Sequence, residues 1–147
     1  MRHILAAIDF SSVTEHVLRI TRTQAKAGST KIWLVHVAAP DPDFVGFEVG
    51  PSYIRDRRAA ELREEHVRLQ AYADALKQDG HEAEALLVQG PTTETLLDVA
   101  RRVGAEMIVM GSHGRGALYR AFIGSVSEQV LRDARLPVLI VPDPARP

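Results

Sequence analysis

Apolar and polar positions fall into blocks along the chain, with five short apolar runs separated by four stretches of helical spacing. His3 to Asp9 is a nearly continuous apolar run, the pattern of a strand buried on both faces of a sheet. Ser12 and Glu15 form an S-x-x-E pattern that predicts a capped helix start. Val13, Val17 and Ile20 share one face of that helix, and Gly28 is its stop signal. Lys31 to Ala38 (KIWLVHVA) is rich in β-branched and aromatic residues and predicts a second strand. From Ala39 to Pro51 there is no helical period, and three prolines and two glycines mark a long loop.

Beyond that loop a long helix is expected to run to about Gly80. Leu62, His66, Leu69, Ala73 and Leu76 form its buried stripe, and Arg57, Arg63, Glu64, Glu65, Arg68 and Lys77 its solvated face. Glu82 to Val88 predicts the third strand, its alternating first half suiting a sheet edge. Gly90-Pro91 opens a helix with proline in the first turn, where a missing N–H costs nothing. Leu96, Ala100 and Val103 give it an apolar face, and Gly104 ends it. Glu106 to Met110 is the fourth strand, Ser125 to Ala134 the last helix, and Pro137 to Val141 the fifth strand. Strands separated by helices of this length predict parallel pairing through right-handed crossovers. The expected fold is α/β: one domain over residues 1–147, a doubly wound five-stranded parallel sheet with helices on both faces, Rossmann-like. Such sheets bind ligands beyond the carboxyl ends of their strands, which directs attention to the loops after Asp9, Ala38, Val88 and Met110.

Composition narrows the chemistry. The 147 residues carry 18 basic and 19 acidic side chains, a formal net charge of −1, so the electrostatic drive for nucleic-acid binding is absent. There is no cysteine, which excludes disulfides, thiolate metal sites and cysteine nucleophiles. The apolar run from Ile4 to Ile8 is too short for a signal-peptide core, and no stretch is long enough to span a bilayer. A cytoplasmic location is expected.

The segment Gly111 to Glu128, GSHGRGALYRAFIGSVSE, holds four of the ten glycines. Gly111, Gly114 and Gly124 are separated by two and by nine residues. Glycines let main-chain N–H groups converge on an anion, and Gly124-Ser125 stands where a helix N-terminus favours phosphate. Ser125, Val126 and Ser127 are candidate N–H donors, with hydroxyls from the two serines. Two readings of Ser125 remain open, since Ser125 with Glu128 is also an S-x-x-E cap. The chain has no Gly-Lys pair and no G-x-G-x-x-G, so a Walker A loop and a standard dinucleotide fingerprint are excluded.

These motifs, taken in order, resemble the ATP-binding branch of the universal stress protein family. The resemblance rests on IDFS (Ile8 to Ser11), HV (His36-Val37), GP (Gly90-Pro91), MGSHGRG (Met110 to Gly116), GSVSEQVL (Gly124 to Leu131) and LPVLIVP (Leu136 to Pro142). It implies an adenine nucleotide alpha hydrolase-like fold and ATP, with Mg²⁺ held through the phosphates. On that resemblance Asp9 lies beside the nucleoside, Ala7 lines the base pocket, and Val37 meets adenine through its backbone. Met110 and Gly111 approach the ribose and phosphate. Ser112, His113, Gly114, Arg115 and Gly116 follow the phosphates, and Gly124, Ser125, Val126 and Ser127 complete the cradle. Ala7 stands where some relatives carry proline, and between Ala117 and Ile123 only Arg120 offers a phosphate ligand.

Each role has a plainer counterpart. Asp9 ends a strand and can cap the following turn; His113 is a general base or a loop hydrogen-bonding residue; Arg115 and Arg120 neutralise phosphate or solvate the loop. His36 reads as a satisfied core histidine, and His66 and His81 lack metal-ligand spacing. The last strand, apolar and followed by Pro142 and Pro144, is expected at a sheet edge that a second copy covers, giving a homodimer through Pro137 to Val141. The functional expectation is a nucleotide-dependent regulatory module, with slow ATP hydrolysis or phosphoryl transfer as the alternative and no efficient catalysis.

Overall fold

The computed structural model describes residues 1–40, 52–112 and 123–144, with Ser52 and Tyr53 described in backbone only. Its elements are β1 (Arg2–Ala7), α1 (Thr14–Gln24), β2 (Thr30–Ala38), α2 (Ser52–Gln78) and β3 (Glu82–Gln89). They continue as α3 (Thr92–Arg102), β4 (Met107–Gly111), α4 (Ser125–Asp133) and β5 (Val138–Val141). All five strands lie in one parallel sheet of order β3-β2-β1-β4-β5. The order reverses between β1 and β4, which is the topological switch point. The expected doubly wound architecture is therefore present.

The apolar runs have a simple cause. Successive residues of a strand point to opposite faces, so a strand covered on both sides must be apolar at every position. Ile4 and Ala6 of β1 join Ile32, Leu34, Val17, Leu69, Ala73 and Leu76 in one core, beneath α1 and α2. Leu5, between them, joins Val35, Leu96, Ala100, Ile108 and Val130 in the other, beneath α3 and α4. Ile4, Leu5 and Ala6 are completely buried. β3 is an edge strand, and its first half alternates as expected: Ala83 is buried while Glu82 and Glu84 are exposed. Lys31 reaches across to Glu84 at 2.8 Å and lies 3.9 Å from the centre of the Trp33 ring.

Several local expectations need correction. Ser12 does not cap α1; its hydroxyl donates to Asp143 Oδ2 at 2.5 Å, and Val13 occupies the N-cap position with no side-chain cap bond. α1 stops at Gln24, and Gly28, with φ of +77°, shapes the turn into β2 instead. Pro91 stands at the N-cap of α3, one position before the first turn. Gly104 does close that helix, with φ of +67°. In α2, His66 is exposed, and Glu65 takes its place on the inward face. Positions 62, 65, 69, 73 and 76 step by three or four residues and share one side of the helix. Glu65 is charged and is expected on the solvated face, but its spacing puts it inward.

Candidate functional site

A cavity of about 560 Å³ opens at the carboxyl ends of the strands. β1 and its continuation supply Ala7, Ile8 and Asp9; β2 supplies Val35, His36, Val37 and Ala38; β4 supplies Met110 and Gly111. The entrance to α4 contributes Gly124, Ser125, Val126 and Ser127, and α3 contributes Thr92 and Leu96. The volume is within the range of small-molecule sites, and the location is the switch point. The structure thus brings together Ala7, Asp9, Val37, Met110, Gly111, Gly124, Ser125, Val126 and Ser127 on one cavity wall. Ser112 is buried and does not line the cavity, its N–H donating to Val141 C=O at 2.9 Å. His113, Gly114, Arg115 and Gly116, with Arg120, lie outside the described residues, as does most of the Ala39–Pro51 segment.

The chain leaves β4 at Ser112 and returns at Gly124, whose N–H donates to Ser112 C=O at 2.7 Å. That bond seats the start of α4 against the end of β4. Ser127, almost completely buried, reinforces it by donating its hydroxyl to Gly111 C=O at 2.7 Å. The first bond within α4 runs from Glu128 N–H to Gly124 C=O at 2.9 Å. The N–H groups of Ser125, Val126 and Ser127 precede it, so they belong to the set a helix start presents to an anion. α4 has no side-chain cap, and Ser125 is its first helical residue, so the expected S-x-x-E cap does not form. The hydroxyl proton of Ser127 is committed to Gly111, leaving Ser125, exposed, as the hydroxyl donor at this end. Thr93 Oγ1 donates to Gln129 Oε1 at 3.0 Å and holds α3 against α4.

Asp9 stands at the end of β1 in the same lining. Its Oδ1 accepts the Ser11 N–H at 2.9 Å, so the carboxylate does stabilise the turn, while still lining the cavity. Phe10 follows with φ of +59°, a left-handed conformation that costs a non-glycine residue energy. Its buried ring lies 4.7 Å from the His36 ring, and the Arg68 guanidinium stands 4.3 Å from its centre. His36 is satisfied, as expected, by donating from Nδ1 to Ile8 C=O at 2.7 Å, yet it also faces the cavity.

Two lining residues were missed by sequence reasoning: Arg58 and Glu65 of α2. Arg58 donates to Ala39 C=O at 2.5 Å, and Glu65 Oε2 stands 3.2 Å from His36 Nε2. The available signal was their phase with Leu62, Leu69 and Leu76. A second open groove, about 510 Å³, lies between β3 and α3, but its Asp98 is already paired with both Arg101 and Arg102. No loop from the switch point reaches it among its lining residues.

A doubly wound sheet with a cavity and a helix start at its switch point defines a class, the open α/β domains that take ligands at their strand ends. Comparison with known proteins places the chain within it. The model of the universal stress protein family matches residues 1–142, and the chain belongs to that family. A universal stress protein of Thermus aquaticus is 34% identical over 140 residues, covering 94% of this chain and 96% of the relative. The solved structure of MJ0577, from Methanocaldococcus jannaschii, superposes with a TM-score of 0.82 at 24% identity, covering 96% of this chain and 95% of that one. A universal stress protein from Archaeoglobus fulgidus, solved in complex with dAMP, gives a TM-score of 0.66 at 24% identity, covering 95% of this chain and 97% of that one.

Proposed function

We propose that this universal stress protein binds ATP, with Mg²⁺ carried on the phosphates, in the cavity at the switch point, and acts as a nucleotide-dependent regulatory module. One observation carries the reading: Ser125, Val126 and Ser127, whose N–H groups precede the first bond within α4, line the same cavity as Ala7, Asp9, Val37 and Met110. Those N–H groups suit phosphate, and the Ala7–Val37–Met110 wall suits a flat, largely apolar base with Asp9 at its polar edge. Gly111 and Gly124, without side chains, leave the main chain open to close approach by phosphate oxygens. The dAMP complex of the Archaeoglobus relative supports an adenine nucleotide as the ligand class. Ser112, His113, Gly114, Arg115 and Gly116 complete the proposed site, following the phosphates as the family resemblance implies.

Nucleotide binding would favour the conformation of the protein that closes on the ligand, and a partner reading that conformation would read the nucleotide. The protein is proposed to work in the cytoplasm as a homodimer through its fifth strand. β5 pairs with β4 on one side, and Val138, Leu139 and Ile140 are only half-buried. A two-fold axis beside that edge would cover it in both copies.

The phosphate half of the site is tested by Ser125→Glu. The position is exposed and begins α4, where a carboxylate suits the helix dipole and the fold is kept. The added charge opposes phosphate, so ATP affinity falls about tenfold or more while adenosine affinity changes little. Equal ATP affinity in wild type and Ser125→Glu would place the phosphates elsewhere and overturn the reading.

A further inference from the structure

Glu65 stands where the packing of α2 does not call for a carboxylate. It shares the inward stripe with Leu62, Leu69, Ala73 and Leu76, and the last three are completely buried. Taking a carboxylate out of water costs free energy unless donors replace the lost hydration. Oε2 is sealed beside His36, 3.2 Å from Nε2, and has no hydrogen-bond partner among the described residues. The side chain keeps 23% of its surface open and lines the switch-point cavity. Its other oxygen, Oε1, is not sealed, so the cavity wall holds an acceptor that no described residue serves.

The two ends of the cavity differ in character. Sheet order places β2 two strands from β4, about 10 Å at ordinary strand spacing. The β4 end holds Ser125, Val126 and Ser127, whose N–H groups precede the first bond within α4. The β2 end holds Glu65 beside His36, and Asp9 lies between the two ends, after β1. Asp9 Oδ1 already accepts the Ser11 N–H, whereas Glu65 accepts from no described group. Arg58, also in this wall, donates to Ala39 C=O and stands 3.6 Å from Glu61. Donors at one end and an unserved carboxylate at the other suit a ligand that is anionic at one end and carries N–H donors at the other. A nucleotide has that polarity, and the far edge of its base lies about that distance from its first phosphate.

We propose that Glu65 accepts a hydrogen bond from the exocyclic amino group of the base, so that the α2 wall selects adenine over purines without an amino donor at that position. The inference rests on the nucleotide reading above and deepens it. The ribose hydroxyls are the ligand's other donors, but the ribose lies between phosphate and base, nearer β1 and Asp9. A site built around an acceptor loses affinity for an analogue that lacks the donor, because the acceptor is then covered and left unserved. The same carboxylate repels phosphate from the β2 end, so the nucleotide binds in one orientation.

Glu65→Leu tests the assignment, because leucine suits the apolar stripe and is close in size. Its urea midpoint should match or exceed that of wild type, as when an unserved buried carboxylate gives way to an apolar chain. A clear fall would show that the carboxylate serves the packing, against the proposal. Calorimetric titration then compares Mg-ATP with Mg-purine riboside triphosphate, in which hydrogen replaces the amino group. The ratio of ATP to analogue affinity is expected to be about tenfold smaller in Glu65→Leu than in wild type, the worth of one hydrogen bond to a charged group. The ratios of ATP to 2′-deoxy-ATP and to 3′-deoxy-ATP should be the same in both proteins. An equal ATP-to-analogue ratio in the two proteins overturns the assignment and leaves nucleotide binding standing. A change confined to a deoxy-nucleotide ratio assigns Glu65 to the ribose and overturns it as well. Failure of wild type to bind any of these nucleotides overturns both readings together.

Discussion

Ser127→Ala removes a single oxygen whose loss should be felt in both stability and binding. The hydroxyl is 2.7 Å from Gly111 C=O, and the residue is 3% exposed, so water does not readily replace the lost bond. A buried hydrogen bond between a side chain and the backbone contributes about 1 kcal/mol, and stranding its acceptor raises the cost to about 1–2 kcal/mol. With a urea slope of about 2 kcal/mol per molar for a small domain, the denaturation midpoint should fall by about 0.5–1 M. Ser125→Ala is the matched control, because that hydroxyl is exposed and makes no cap bond; its midpoint should shift by less than about 0.25 M. The same bond seats the first turn of α4 on the end of β4, so ATP affinity should fall as well, by about threefold to tenfold. An unchanged midpoint for Ser127→Ala would refute the argument that this contact fixes the helix start. A lower midpoint with unchanged ATP affinity would show that the helix start does not position the ligand.

Other parts of the fold make separate predictions. Leu34→Ala, at a fully buried position on β2 next to the central strand, should cost about 3 kcal/mol in chemical denaturation; a loss below about 1 kcal/mol would contradict the packing. Gly90 has φ of +153°, and a Cβ there would stand 2.4 Å from Thr95 Oγ1, so Gly90→Ala should destabilise by at least about 1 kcal/mol, measured the same way. Arg68→Ala removes the guanidinium above Phe10 and should cost about 0.5–1 kcal/mol, with no effect expected from the same change at Arg63 on the outer face. If β5 is the dimer edge, Ile140→Arg should convert the sedimenting species to a monomer while leaving the circular dichroism of the fold intact.

The fold was legible because two periodicities dominate the chain. Continuous burial, with side chains alternating between two apolar faces, marks β1 and β4, as in Ile4, Leu5 and Ala6. The termini were less legible, because they are decided by tertiary partners. Ser12 has the chemistry of a cap, but Asp143, 131 residues further on, takes its hydroxyl. Ser127 has the chemistry of a phosphate ligand, but Gly111 C=O lies nearer its hydroxyl. The glycine-bearing half of the site was visible in spacing, because a helix start after a strand is a local feature. The α2 half was not, because Arg58 and Glu65 are charged and hydrophobic periodicity gives charged residues to solvent. Only the fold, by setting Glu65 beside His36 in the cavity lining, shows that a carboxylate sits on the inward stripe.

The central claim is that an adenine nucleotide occupies the switch-point cavity with its phosphates at the start of α4. Titrating ¹⁵N-labelled protein with Mg-ATP and following the backbone amide resonances tests it residue by residue. The account predicts saturable shifts largest at Gly111, Gly124, Ser125, Val126 and Ser127, with smaller ones at Asp9 and Val37. Amide resonances unmoved by millimolar Mg-ATP, or shifts confined to the groove between β3 and α3, would contradict it.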